Sequence, residues 1–289
     1  MNKFEGKMEK TGLVLEGGAK RGIYTAGVLD VFLENGIGFD GVVGVSAGAI
    51  HGCSYVSEQM GRSIRYNMKY GNDYRFMSLR SWLLTGNVVD TKFCYHDLPE
   101  KLDVFDNETF MASKTKFYVV CSNIETGKPE YIHCKDMYAD IDYLRASASM
   151  PFAAKIVLLN GKKYLDGGIT DSIPLQATRS LGFGKNVVIA TRPKGYRKKP
   201  YLLKWLAKLV YGKYPNFVEA MLKRHEMYNR ELEEIEALEK SGDLVLIRPS
   251  RFIKISKMES DLNVVNEMYE LGRKDAYNAL ERVKDFLAN

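Results

Sequence analysis

Apolar residues along this chain come in short runs punctuated by glycine. Gly12–Glu16 (GLVLE) predicts a short buried strand, and a glycine-rich turn, Gly17–Gly22 (GGAKRG), follows it. Apolar residues at Ile23, Ala26, Val28, Leu29 and Phe32 then keep a helical spacing, which Gly36 and Gly38 end. Gly41–Val45 (GVVGV) predicts a second strand that runs directly into Ser46-Ala47-Gly48-Ala49-Ile50, the start of another helix.

The stretch from about Met60 to Phe110 is polar and mixed and yields no assignment. Beyond it, Phe117–Cys121 reads as a strand and Asp140–Ser149 as a helix ending before Pro151. Lys155–Leu159 and Lys163–Leu165 read as short strands around a turn at Asn160-Gly161. Asn186–Ala190 is another buried strand, residues 200–240 are helical, Leu244–Ile247 is a strand, and Asp261–Leu287 is a long C-terminal helix. Strands alternating with helices predict a three-layer α/β/α fold around a mainly parallel sheet. The one weak boundary is the basic stretch near Arg192–Pro200, with its glycine and proline.

With 289 residues, 45% hydrophobic and 27% charged, the chain has an ordinary globular composition and room for one large core. The N-terminus, MNKFEGKMEKTG, has no apolar h-region, so no secretory signal is expected. No run of about 18 apolar residues predicts a membrane span. Cys53, Cys94, Cys121 and Cys134 form no CxxC pair and read as free thiols. Together these features point to the cytoplasm. Of the net charge of +6, the segment Arg192–Arg230 alone carries +9, which leaves −3 for the remainder.

Three short elements carry chemistry. Gly44-Val45-Ser46-Ala47-Gly48 is a GxSxG between a strand and a helix, where Gly44 and Gly48 let a strained elbow close and hold the Ser46 hydroxyl over a helix N-terminus. The loop Gly17-Gly18-Ala19-Lys20-Arg21-Gly22 exposes consecutive N–H groups as a nest for an oxyanion or a phosphate. It also imitates a dinucleotide fingerprint, with Asp40 lying 23 residues beyond Gly17, although Ala19 stands where the backbone must approach a pyrophosphate. A P-loop is excluded because Ile23, not Lys, follows Gly22. Asp166-Gly167-Gly168 follows a strand and is either a turn former or an acid held at a loop rim.

A serine nucleophile needs a base. Only His51, His96, His133 and His225 exist. After Asp166 only His225 remains, in a charged helical run, and His51 lies five residues along the helix from Ser46. A Ser46–Asp166 dyad therefore explains the chain better than a triad.

Taken together, EGGAKRG, GVSAG and DGG resemble the patatin-like phospholipase family, whose pattern is G-G-G-x-[RK]-G, then G-x-S-x-G, then a distant D-G-[GA]. Ala146–Phe152 (ASASMPF) and Asp166–Pro174 (DGGITDSIP) are similar to the family's stretches around its catalytic aspartate. The resemblance covers roughly Gly12–Arg192, implying a catalytic core over 1–192 and a C-terminal helical extension over 193–289 packed on the same domain. It implies acyl-ester hydrolysis of phospholipid or another fatty acyl ester, with Ser46 as nucleophile, Asp166 as base and an oxyanion hole at Gly17, Gly18 and Ala19. Ala19 departs from the family's third glycine. Arg21 would anchor the loop or face a substrate phosphate. Neither HExxH nor an EF-hand loop occurs, so no metal and no cofactor is expected.

Tyr201–Tyr211 (YLLKWLAKLVY), flanked by Lys198, Lys199 and Lys213, reads as a basic amphipathic helix that packs on the core, forms a lid, or lies on an anionic membrane surface such as the inner membrane face. No nucleic-acid motif accompanies the basicity. Two other functions stay open: a nucleotide-binding domain using GGAKRG, and a non-catalytic membrane-surface protein.

Overall fold

The computed structural model describes residues 9–288; most of the N-terminal stretch read above for a secretory signal lies outside them. Among the described residues eight strands form one mixed sheet in the order β5-β6-β3-β2-β1-β7-β8, with β4 on the free side of β3. The strands are β1 (Thr11–Leu15), β2 (Gly41–Val45), β3 (Lys116–Asn123), β4 (Lys128–Cys134), β5 (Val157–Leu159), β6 (Lys162–Asp166), β7 (Lys185–Ile189) and β8 (Leu244–Ile247). β3, β2, β1, β7 and β8 run parallel, whereas β4, β5 and β6 pair antiparallel. The sheet is therefore mostly parallel, as the alternation of elements predicts. β4 escaped the sequence reading: its Pro129 and Glu130 mask the strand signal, and proline is tolerated there because the strand lies at an edge.

Among the described residues ten α-helices surround the sheet: α1 (Ile23–Glu34), α2 (Ala47–Val56), α3 (Arg62–Tyr70), α4 (Leu79–Thr85), α5 (Asn107–Ala112), α6 (Met137–Ser147), α7 (Leu175–Ser180), α8 (Lys204–Tyr211), α9 (Pro215–Ser241) and α10 (Leu262–Ala288). The unassigned region 60–110 holds α3, α4, most of α5 and a wide-wound π-helical segment, Phe93–Leu102. The helical stretch 200–240 is two helices rather than one, because Gly212 and Pro215 break it.

Side chains alternate between two faces, as strand geometry requires. Leu13, Leu15, Val187, Ile189, Val245 and Ile247 pack with α1, α2 and α10. Val14, Val188, Leu244 and Leu246 pack against Leu175 of α7 and Tyr228, Leu232 and Ile235 of α9. This is a three-layer α/β/α arrangement. The last third of the chain enters all three layers: β8 extends the sheet beside β7, α9 covers one face and α10 the other. α10 crosses α1 closely because each helix offers a glycine. A Cβ on Gly27 would lie 2.2 Å from the Tyr269 carbonyl, and one on Gly272 would lie 2.1 Å from that of Tyr24. Tyr269 donates to Asp30 at 2.7 Å and Arg273 grips Glu34 with two hydrogen bonds, fixing the register.

Candidate active site

The site is built on the C-terminal ends of β1 and β2. β2 ends at Val45, and Ser46 turns the chain into α2 with φ 52° and ψ −121°, a conformation unfavourable for a residue with a Cβ. The elbow glycines permit the turn sterically. A Cβ on Gly44 would lie 2.6 Å from Ala49 Cα, and one on Gly48 would lie 2.5 Å from the Leu15 carbonyl oxygen. The Ser46 amide donates to Ser147 Oγ at 2.9 Å, which ties the turn to α6.

β3 aligns the second residue. Its first half pairs with β2, Val45 opposite Val120, and its second half pairs with β6, Asp166 opposite Cys121. Because β4 occupies the other edge of β3, β2 and β6 meet end to end along one edge. Asp166 is thereby brought beside Ser46. The two are buried, at 5% and 7% exposure, and the Ser46 side chain lies close enough to the Asp166 carboxylate to favour its charged form. Asp166 is held further by the Gly168 amide, 2.8 Å from Oδ1, and its own amide donates to the Ser149 carbonyl at 2.8 Å. Burial raises its proton affinity above the usual carboxylate range, against the opposing pull of Arg224, Ser46, the Gly168 amide and Lys257.

The glycine loop borders the same point. A Cβ on Gly17 would stand 3.3 Å from Ser46 Cβ. Among the described residues, no carbonyl or side-chain oxygen accepts from the Gly17, Gly18 or Ala19 N–H groups, which leaves them free to bind an anion. Ala19 adopts φ 49°, the left-handed conformation that a glycine would take without strain. Arg21 points away from the cavity and Lys20 lines it, its Nζ 3.1 Å from Asn67 Oδ1 and 4.6 Å from the centre of the Phe76 ring. Burial lowers the Lys20 pKa to about 8.

Ser46 also lines a cavity of about 160 Å³ whose walls are mostly apolar, including Tyr66, Phe76, Tyr95, Leu98, Phe105 and Leu144. Most of these come from the region that the sequence left unassigned. No pattern marks them, because the cavity is assembled from segments scattered between residues 19 and 154.

Each histidine has another place. His51 Nδ1 meets Ser63 Oγ at 2.9 Å, and burial lowers its pKa to about 3, so it is neutral. His133 stacks on Tyr118, His96 pairs with Glu100, and His225 bonds to the Leu222 carbonyl of its own helix. Asp40 accepts from the Thr11 amide and hydroxyl, closing β1 against β2.

Comparison with known proteins identifies the family. The model of the family described as patatin-like phospholipase matches residues 13–179. The chain belongs to the patatin-like phospholipase family. A second model, a domain of unknown function (DUF6363), matches residues 214–288. The uncharacterized protein YjjU of Escherichia coli is 28% identical over 270 residues, covering 90% of this chain and 74% of that protein. Lysophospholipase nte1 of Aspergillus terreus is 28% identical over 176 residues, 59% of this chain but only 11% of its own length. Its counterpart in Kluyveromyces lactis is 27% identical, over 60% of this chain and 12% of its own length. A solved structure of VipD from Legionella pneumophila aligns with a TM-score of 0.40 and 12% identity over 92% of this chain and 67% of that one.

Two features of this family member were not visible in its sequence. Arg224, from α9, reaches the DGG turn: its guanidinium lies 3.1 Å from where a Gly168 Cβ would stand. Helix α8, for which core packing, a lid and membrane contact were all open, turns most of its apolar side chains outward. Leu202 just before it and Leu209 within it are 87% and 73% exposed, and only Ala207 and Tyr211 of the helix are buried. α4 does the same with Leu79, Leu83 and Leu84. Both helices are tied to Phe152: Trp82 Nε1 of α4 donates to its carbonyl at 3.1 Å, and its amide donates to Tyr211 Oη of α8 at 3.0 Å. Among the described residues no helix is long and apolar enough to cross a membrane.

Proposed function

We propose that this protein is a lipid acyl-ester hydrolase working by a Ser46–Asp166 dyad. Asp166 accepts the Ser46 proton as the hydroxyl oxygen attacks the ester carbonyl carbon. The tetrahedral oxyanion is received by the N–H groups of Gly17, Gly18 and Ala19, each such donor being worth about 3 kcal/mol of barrier. The intermediate collapses by breaking the bond to the alcohol, which takes the proton from Asp166, and an acyl-Ser46 remains. Water, deprotonated by the same carboxylate, then releases the fatty acid. The acyl chain occupies the apolar cavity.

The observation that carries this reading is the juxtaposition of Asp166 with Ser46, which lines an apolar cavity, beside three amides that donate to no acceptor among the described residues. The names of the lysophospholipase relatives favour the same substrate class, although this chain matches only a small part of them. The exposed apolar faces of α4 and α8, with Lys204, Lys208 and Lys213 beside them, favour peripheral contact with an anionic lipid surface, the inner membrane face being the expected site. A fluorophosphonate probe tests the proposal. Labelling mapped to the peptide holding Ser46, and absent from Ser46→Ala, is expected; binding of NAD or ATP without any serine labelling would favour the nucleotide-binding alternative instead.

A further inference from the structure

Arg21, Arg192, Lys198, Arg224 and Lys257 converge on the side of the glycine loop away from the acyl cavity. The turn after β1 divides them from it: Lys20 lines the cavity, and Arg21 faces Arg192, Tyr196 and Tyr228. Arg192 packs its guanidinium 4.2 Å from the Tyr196 ring centre, and Lys198 sets its ammonium 4.4 Å from that of Tyr228. The Tyr196 and Tyr228 rings meet edge to face at 5.9 Å and frame the cluster. Asn229 fixes Lys198 by exchanging two hydrogen bonds with its backbone, at 2.8 and 3.1 Å. Arg224 stands over Gly168, next to Asp166.

Five cations face only two carboxylates among the described residues: Glu16 acts on Arg21 and Lys198, and Asp166 on Arg224 and Lys257. Among the described residues none of the five forms a salt bridge, while eighteen other pairs do. Neither carboxylate forms an ion pair with them, and both accept hydrogen bonds from other groups. Glu16 accepts from the Tyr228 hydroxyl at 2.8 Å and from the Thr191 amide, and Asp166 accepts from Gly168 and faces Ser46. Arg21 Nε, Arg224 Nε and Thr191 Oγ1 are all shielded from solvent with no hydrogen-bond partner. The cations also press on one another: after burial, Arg224, Arg21 and Arg192 are what lower Lys198 to about 7. Gathering like charges with idle donors costs stability unless an anion completes the group.

We infer that this cluster is a phosphate-monoester site, and that it holds the head group of the lipid substrate while the acyl ester lies over Ser46. A phosphate monoester matches it in charge and in donor geometry, presenting two negative charges and three acceptor oxygens to guanidinium forks. Arg224 and Lys257 come from the segment matched by the domain of unknown function, which gives that segment a part in substrate selection. The placement of the head group rests on the hydrolase reading; the phosphate site does not.

The test has a binding arm and a kinetic arm. Glycerol 3-phosphate and inorganic phosphate are titrated calorimetrically into Ser46→Ala, alone and combined with Arg192→Gln or Lys257→Gln. Separately, the wild type is assayed on 1-acylglycerol and 1-acylglycerol 3-phosphate in neutral-detergent micelles. Binding by Ser46→Ala that weakens at least about tenfold on either charge removal is expected, with a kcat/KM about tenfold or more in favour of the phosphorylated ester. That preference should fall in Arg192→Gln and Lys257→Gln, as a ratio between the two esters. Phosphate binding with no preference between the esters would assign the site to free phosphate rather than a head group. Phosphate binding without hydrolysis of any ester would keep the site and remove the hydrolase reading. Equal hydrolysis of both esters, with no phosphate bound, would overturn the inference and leave the hydrolase reading intact.

Discussion

Val45 and Asp166 pair with successive residues of β3, Val120 and Cys121, so the strand that ends at Ser46 and the strand that ends at Asp166 abut along a single edge. Backbone hydrogen bonding, rather than side-chain attraction, sets the distance between Ser46 and Asp166. A residue inserted into β3 between positions 120 and 121 would part them while leaving both motifs intact.

Asp166 must be charged to accept a proton, and burial raises its pKa above the ordinary carboxylate range. The acid limb of kcat/KM is therefore expected to lie above the range of an ordinary carboxylate, with activity lost as pH falls through it. Arg224 is the largest influence holding that pKa down. Arg224→Gln should move the limb to still higher pH, which a pH–rate profile on a neutral ester will measure.

Ala19 sits at φ 49°, where a Cβ costs roughly 1–2 kcal/mol. Ala19→Gly relieves that strain and gives back part of the gain to the freer unfolded chain. A net stabilisation of about 0.5–1 kcal/mol is expected in urea unfolding. No gain would mean that the loop has no strain to release.

Asp171, in the loop after Asp166, and Glu231 of α9 are buried against each other, and burial together with the Asp171 charge raises Glu231 well above the carboxylate range. Folded Glu231 thus keeps a proton that the unfolded chain releases once pH passes the ordinary carboxylate pKa. Stability falls as pH rises through this window. Glu231→Gln preserves the hydrogen bonding without the proton linkage. Its melting temperature should exceed the wild type's at pH 8, by an amount corresponding to about 1–2 kcal/mol, and the gap should shrink towards pH 4.5. A constant gap across that range would contradict a proton retained on folded Glu231.

The protein's two tryptophans, Trp82 and Trp205, lie on α4 and α8. Intrinsic fluorescence therefore reports the proposed lipid-facing surface directly. A blue shift on adding vesicles containing anionic lipid is expected, weakened by salt and by Leu209→Ser with Leu83→Ser. An unchanged spectrum would argue against membrane contact through these helices.

Local elements were the legible ones. GLVLE and GVVGV are apolar runs bounded by glycine, and the three motifs are contiguous, so the strands, the elbow and the glycine loop could be read from the chain. What depends on register or distant packing could not. The meeting of Ser46 with Asp166 rests on β3 pairing with β2 and then with β6. The cavity is gathered from α1–α3, α6 and the π-helical segment. Arg224 and Lys257 look like ordinary surface cations until α9 and the loop before α10 fold over the DGG turn. For α8 the periodicity gave an amphipathic helix, but a helical pattern does not say whether its apolar stripe faces inward.

The dyad is tested most directly by steady-state hydrolysis of a p-nitrophenyl ester by Asp166→Asn, with circular dichroism to confirm the fold. Asparagine keeps the shape and the bond from the Gly168 amide but accepts no proton at neutral pH. A fall in kcat of at least about 10³-fold is expected. Wild-type turnover in folded Asp166→Asn would contradict the role assigned to Asp166.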